Sequence, residues 1–329
     1  MSTRRSILKT ALSLLGPAVM PLTVEAQKAP PFPNKPLTLI VPFTPGGAAD
    51  QFGRLAAEKL RPALGQPVVV ENRAGGNTVI ATRSLLSAPD DGHSLLLVAA
   101  STMVLNPLLM KKPGYAPKTD LNMLSLLAEL PLIMVVPHDL PVNNLEEFRR
   151  YALTIPGGLS FASVGVGSTM HVMGELFSQQ MGLSMVHVPY KGSGPAMTDL
   201  ISNRVQVMFD APSSSLPMVT AGKLKALAVT TRRRIAALPQ VPSISETLPG
   251  FETSLWYGIA VRKSTPPEIC ALLKSDLDRL LDDPDFRSRL ESSGFIMRKA
   301  ASAKQIETFL AGEEKLWSDI IRTKNIALE

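Results

Sequence analysis

Cysteine is almost absent: Cys270 is the one thiol in 329 residues. That excludes an internal disulfide framework and any zinc site built on several thiolates. Cys270 stands among Ile269, Ala271, Leu272 and Leu273, where an unpaired Cys reads as a small packing hydrophobe. Aromatic residues are sparse, and none interleaves the run Arg232-Arg233-Arg234. That run therefore reads as a solvated turn, and no nucleic-acid partner is expected. Long apolar stretches are also missing. Residues 94–110 are uncharged but short and interrupted by Asn106 and Pro107, and residues 121–136 contain Glu129 and Pro131. Both read as core elements rather than bilayer spans. There is no phosphate loop of the G-x-x-x-x-G-K-[ST] type, no G-x-S-x-G elbow and no H-E-x-x-H helix. Gly165-Val166-Gly167 stops short of a dinucleotide fingerprint, because Met170 stands where its third glycine belongs. No cofactor is expected, and no solenoid-period repeat or low-complexity tract is present.

What is there is an ordinary globular composition, 45% hydrophobic and 19% charged, with a net charge of +6. The length suits two domains and a sizeable core. The N-terminus is basic through Arg4, Arg5 and Lys9, then uncharged over residues 10–24, then small at Val24 and Ala26. This is the layout of an export signal, with cleavage expected after Ala26 and a periplasmic destination. Arg4-Arg5 followed by Ile7-Leu8-Lys9 resembles a twin-arginine signal with Ile in place of Phe; a general secretory leader is the other reading. Removing residues 1–26 lowers the net charge, because Arg4, Arg5 and Lys9 leave with only Glu25. No cysteine stands near the cleavage point, so lipid anchoring at a mature N-terminal Cys is not expected.

The chain then alternates. Leu37-Thr38-Leu39-Ile40-Val41 reads as a strand, followed by the turn cluster Thr44-Pro45-Gly46-Gly47 and a helix carrying Phe52, Leu55, Ala56 and Leu60, expected to end at Arg61-Pro62. Val68-Val69-Val70 is expected to be a buried strand, residues 78–87 a helix and Leu95-Leu96-Leu97-Val98 a third strand. Together they suggest a parallel α/β sheet. A strand at Ile133–Val136 precedes a helix opened by Asn144 and Glu147 in capping-box spacing. The pattern then restarts: strands near residues 159–162, 185–188, 205–209 and 225–229, with helices after Ser168 and after Gly192. Helices are expected near residues 268–281 and 302–321, and a returning strand at 256–261. The expected division is a signal peptide over 1–26, a discontinuous α/β domain over 27–130 and 250–329, and a second α/β domain over 131–249. The hinge would be crossed twice.

Two segments share one design, a strand, a loop of small residues and a helix start: residues 42–50 and 162–169. Small residues let backbone N–H groups approach a ligand, and a helix start adds unpaired donors and about half a positive charge. The pair could clamp an anion such as a carboxylate, with hydroxyls of Thr44, Ser163 and Ser168 as further donors. Ordinary tight turns are the alternative reading of either loop. Asp50 would compete with an anion, so it reads as a cap for its own helix or a partner for an amine. His171 and Glu175 stand one helical turn apart, but no third ligand has a diagnostic spacing, and no metal is expected. A Ser163–His171–Asp210 triad can be drawn on paper. It lacks a local signature, and no catalytic residue is expected.

As a set, these stretches resemble the Bug family, the exported solute receptors of tripartite tricarboxylate transporters. The matching runs are residues 32–37, Ile40-Val41-Pro42-Phe43-Thr44-Pro45-Gly46-Gly47 with Asp50, Val69-Val70-Glu71-Asn72-Arg73, and Ala88-Pro89-Asp90-Asp91-Gly92. Ala162-Ser163, Gly165, Gly167-Ser168 and His171 come next, then His187-Val188-Pro189-Tyr190-Lys191-Gly192, residues 222–229 and Trp317. The resemblance implies a periplasmic binding protein-like α/β fold, with two α/β domains closing over a ligand cleft. It implies a monomer that holds a small carboxylate, such as a di- or tricarboxylate, an acidic amino acid or an aromatic acid, and delivers it to membrane transporter subunits. By position, Phe43, Thr44, Gly46, Gly47 and Asp50, with Ser101 or Thr102, line one wall. Ser163, Gly167, Ser168 and His171 line the other, and Tyr190 and Asp210 sit at strand ends facing the cleft. Asp210 could meet a ligand ammonium or hydroxyl. Residues 72–77 lack a proline and a glycine usual in the family, and His93 replaces a usual Tyr. A ligand carrier for a signalling system and a periplasmic hydrolase are the alternative functions.

Overall fold

The computed structural model describes residues 32–324 and residue 326. The chain divides into Met1–Phe32 and Pro33–Glu329, and the elements all belong to the second unit. The expected export signal lies outside the described residues.

In chain order the elements are β1 (Leu37–Val41), α1 (Ala48–Leu64), β2 (Val68–Asn72), α2 (Val79–Ser87), β3 (Ser94–Val98), α3 (Asn106–Leu109), α4 (Pro117–Asp120), β4 (Leu121–Leu130), β5 (Ile133–Pro137), α5 (Leu145–Thr154), β6 (Leu159–Ser163), α6 (Thr169–Gln180) and β7 (Met185–Pro189). They continue with α7 (Ser193–Ile201), β8 (Val207–Asp210), α8 (Pro212–Thr220), β9 (Leu224–Val229), β10 (Leu255–Arg262), α9 (Pro267–Asp282), α10 (Pro284–Ser292), β11 (Ile296–Met297) and α11 (Ala303–Lys324). Two sheets result, in the orders β11-β4-β10-β3-β1-β2 and β7-β6-β8-β5-β9.

Both sheets are mixed, which corrects the expectation of a parallel sheet for the first. β1 runs parallel to β2 and β3, but β10 returns antiparallel between β3 and β4. In the second sheet β6 is parallel to β7 and β8, while β5 is antiparallel to β8 and β9. Three other expectations are amended. Helix α1 continues through Pro62 to Leu64 and closes on Gly65, whose φ of 63° lets its N–H donate to Arg61 O at 3.0 Å. A proline in the last turn removes one backbone bond without breaking the helix core, and the left-handed glycine stops it. β2 pairs only with β1, so it is an edge strand and Val69 is half exposed rather than buried. At α5, Asn144 Oδ1 accepts from Glu147 N–H at 2.9 Å, but the Glu147 carboxylate reaches back to Asn143 N–H at 2.7 Å, one residue earlier than in a capping box.

The chain passes between the sheets from β4 to β5 and from β9 to β10. The two connections are stitched together: Thr230 N–H donates to Leu132 O and Leu132 N–H donates to Thr230 Oγ1, both at 3.0 Å. Thr253 N–H adds a bond to Thr230 O at 3.1 Å. Helix α11 lies against both halves. Its Glu313 Oε2 accepts the indole N–H of Trp256 on β10 at 2.8 Å and of Trp317 at 3.1 Å. Lys324 at its other end pairs with Glu175 of α6 at 3.4 Å. No described helix is long and apolar enough to cross a membrane.

Candidate ligand-binding cleft

Topology places the cleft. From β1 the chain goes to β2 on one side and then returns to β3 on the other. From β6 it goes to β7 and then returns to β8. Loops that leave neighbouring parallel strands in opposite directions open a crevice at their carboxyl ends, where ligands bind in open α/β sheets. The first crevice is made by residues 42–48 and 99–105, the second by residues 163–169 and 210–212. The two are tied together where Asn77 Nδ2–H donates to Gly167 O at 2.9 Å.

On the first wall, Thr44, Gly46 and Gly47 are exposed and Phe43 is half-buried, edge-on to Tyr257. Gly46 takes a φ of 85°, which a side chain would resist. Gly47 begins α1 without a side-chain cap, so first-turn N–H groups stay free to face an anion. Asp50 does not cap its own helix in the usual way. Its carboxylate accepts from Gly46 N–H at 2.9 Å, Arg54 Nε–H at 3.0 Å and Asn72 Nδ2–H at 2.9 Å. Burial alone would raise its pKa, but those donors and the Arg54 charge hold it below the usual carboxylate range. Asp50 therefore anchors the loop instead of offering its charge to the cleft. Ser101 is 4% exposed and its hydroxyl has no protein partner among the described residues. Thr102 is fully buried and its hydroxyl donates to Thr78 Oγ1 at 3.0 Å. Of these two candidates, Ser101 is the one with a free donor.

On the second wall the serine hydroxyls turn inward, contrary to the expectation that they are free donors. Ser163 Oγ lies 2.6 Å from His187 Nε2 and accepts from Gly165 N–H at 3.1 Å. Ser168 Oγ donates to Gly165 O at 2.7 Å and caps α6 by accepting from His171 N–H at 3.3 Å. Gly165 and Gly167 take φ values of 140° and 76°. Gly167 N–H donates to His171 Nδ1 at 3.0 Å. The paper triad does not assemble: Ser163 meets His187, not His171, and Asp210 meets neither. Asp210 is fully buried, with Oδ1 accepting from Ser193 Oγ at 2.7 Å and Oδ2 from Ser214 Oγ. Burial raises its pKa despite those bonds. Both of its oxygens are thus occupied by serines rather than presented to an ammonium or hydroxyl. Tyr190 sends its hydroxyl to Asp199 Oδ2 at 2.8 Å, away from the loops, and burial together with that carboxylate pushes its pKa up to about 12. Glu175 is ion-paired to Lys324, and no group of three metal-ligating side chains exists among the described residues.

Several residues of this site were not singled out from sequence. Asn72 binds both Asp50 and Phe43 O. Asn77 and Thr78 hold φ values of 47° and 78°. A β-branched residue in that region costs about 1–3 kcal/mol and persists only where its surroundings enforce it. Here Asn106, fully buried, donates to Asn77 O at 2.6 Å and receives Asn77 Nδ2–H at 2.7 Å, while Thr82 Oγ1–H donates to Thr78 O at 3.0 Å. His187 stacks on His171 with ring centroids 3.7 Å apart. The signal in sequence was the pair of asparagines flanking Arg73-Ala74-Gly75-Gly76, which tolerate left-handed backbone.

Residues 52–326 match the family described as "Tripartite tricarboxylate transporter family receptor". Among solved structures, the periplasmic binding protein BugD is 32% identical with a TM-score of 0.81, covering 91% of this chain and 100% of that one. Rpa4515 of R. palustris, solved with adipate, is 32% identical with a TM-score of 0.84, covering 90% and 99%. MatC (Rpa3494) of Rhodopseudomonas palustris, with bound malate, is 30% identical with a TM-score of 0.80, covering 88% and 100%. The fold is that of the periplasmic binding proteins, two α/β domains with mixed sheets, and the protein is a solute-binding receptor rather than an enzyme. Its two glycine-turned helix starts, the strand order around them and the match over most of the chain agree: it belongs to the tripartite tricarboxylate transporter receptor family, of the TctC/Bug type.

Proposed function

We propose that this protein captures a small aliphatic dicarboxylate between its two crevices and delivers it to the membrane subunits of a tripartite tricarboxylate-type transporter. It would do so after export and removal of residues 1–26. The binding unit would consist of a discontinuous domain, 27–130 with 250–329, and a second domain, 131–249. The observation that supports this reading is the bond from Asn77 to Gly167 O, which ties the first half to the loop that opens α6, so that the α1 and α6 helix starts would face one ligand. One carboxylate between them receives backbone N–H groups and two helix dipoles, each worth about 0.3–1 kcal/mol and more when desolvated. Ser101 Oγ–H and His171 Nε2–H are the side-chain donors left unpaired for it. The neighbours bound to adipate and malate support the ligand class. Closure follows if the ligand binds both walls better in the closed arrangement. The test is calorimetry and thermal shift with adipate, malate, other di- and tricarboxylates, acidic amino acids and aromatic acids. Saturable binding of one carboxylate class is expected. Silence across the whole panel would refute the reading.

A further inference from the structure

Two imidazoles form the floor of the second wall, and only one was expected there. His187 on β7 pairs in register with Phe161 on β6. The ring of Phe161 lies 5.0 Å from that of His187 and 6.3 Å from that of His171. Gly174 of α6 gives Phe161 its space, since a Cβ there would overlap the ring. The stack is therefore built into the packing of α6 on the sheet.

The hydrogen-bond pattern fixes the state of His171. Gly167 N–H donates into Nδ1, which requires a lone pair there. The ring is then neutral and its one proton sits on Nε2. An imidazolium would set two N–H groups against each other at Nδ1. His171 is 6% exposed, yet Nε2 has no protein partner among the described residues. Nε2 is not among the buried unpaired polar atoms of the described residues, so its N–H keeps access to solvent beside a helix N-terminus, where an arriving acceptor can take it. Of the ionisable groups on the surrounding elements, three acidic or phenolic ones are engaged, while Lys191, next to Tyr190, is exposed. Glu175 of α6 pairs with Lys324 of α11, Tyr190 after β7 bonds Asp199 of α7, and Asp210 of β8 is held by Ser193 and Ser214. Burial pushes both rings down, His171 to about 4 and His187 to about 3, and for His187 the His171 charge adds to it.

We propose that His171 binds the ligand carboxylate as a neutral Nε2–H donor, and that His187 is the positioning residue that holds this ring against Gly167. The proposal rests on the receptor reading. Specificity for an anion at this ring then comes from N–H groups and helix dipoles.

Long-range proton–nitrogen correlation on histidine-labelled protein reads the tautomer directly, with adipate and malate as probes. In the free protein His171 should show a bare Nδ1 and a protonated Nε2 from pH 8 to 5. A protonated Nδ1, or titration in that range, would overturn the assignment. Adding the dicarboxylate should move the Nε2–H resonance. His171→Gln, which keeps an N–H near the same place, should bind within a few-fold of wild type, whereas His171→Leu should lose about tenfold or more. His187→Leu should free the His171 ring from Gly167, read as loss of the bare-Nδ1 signature, and His187→Phe, which restores a stacking ring, should return it. Binding that leaves Nε2 unmoved would overturn the role of His171 while the receptor reading stands. Failure of every carboxylate to bind would overturn the receptor reading and the ligand role together, and the tautomer measurement would still judge the ring geometry separately.

Discussion

Acidification from pH 7 to pH 5 should destabilise this protein mainly through two rings. His171 and His187 are held at about 4 and about 3 in the folded chain, against about 6.5 when unfolded. Both folded values are depressed, so the unfolded chain binds more protons in the window between. Their contribution is complete above about pH 6.5 and is lost as pH falls toward the folded values. Each ring changes stability by about 1.4 kcal/mol per pH unit there. From pH 6.5 to 5 two rings come to about 4 kcal/mol, and because His187 is only partly buried the expectation is about 2–4 kcal/mol. Asp91 and Glu246, held at about 2 by ion pairs and hydrogen bonds that outweigh burial, lose their contribution at lower pH. Asp210 and Glu313, raised by burial, have the opposite sign. The double variant His171→Gln/His187→Gln removes the rings and leaves those carboxylates in place. Urea unfolding of both proteins at pH 7 and pH 5 therefore isolates the pair in the difference between them. Equal pH dependence in wild type and double variant would refute the reasoning.

Two further outcomes concern the bonds that join the halves. Asn77→Ala removes the bond to Gly167 O and one to Asn106, so small-angle scattering of the ligand-free protein should show a larger radius of gyration. Dicarboxylate affinity should fall by about threefold to tenfold, the worth of one neutral hydrogen bond. Thr230→Val leaves the buried N–H of Leu132 without its acceptor and should cost about 1–3 kcal/mol in urea unfolding, while Thr230→Ser should be close to neutral.

Periodicity made most of the elements legible. Phe52, Leu55, Ala56 and Leu60 mark one face of α1, and the branched run at β1 marks a strand. β4 was harder to read. Burial is almost unbroken along both of its faces, so its sequence shows no alternation, only a largely apolar run with Glu129, which Arg298 neutralises. The turn back through β10 was recognised as a strand, but its antiparallel placement between β3 and β4 depends on contacts far apart in sequence. The two loops were visible from their glycines. Which hydroxyls point outward was not, because Ser163 and Ser168 look alike in sequence to Ser101, and only the fold bends the first two onto Gly165. His187 stands in one of the matching runs, but a lone histidine in a strand carries no sign in sequence of its stacking partner on α6. Asn77 escaped notice because the strain at Thr78 is legible only in backbone angles.

The shared acceptor of the two tryptophans has an optical consequence. The chain holds two indoles, and both donate to one oxygen of Glu313. Ultraviolet-excited emission from the whole protein therefore reports a single junction, where α11 meets β10, and not the cleft. A titration that leaves the emission unchanged says that this junction stayed still, and is no measure of occupancy. A spectral shift on adding a solute would mean that the C-terminal helix, which also touches α6, had reseated.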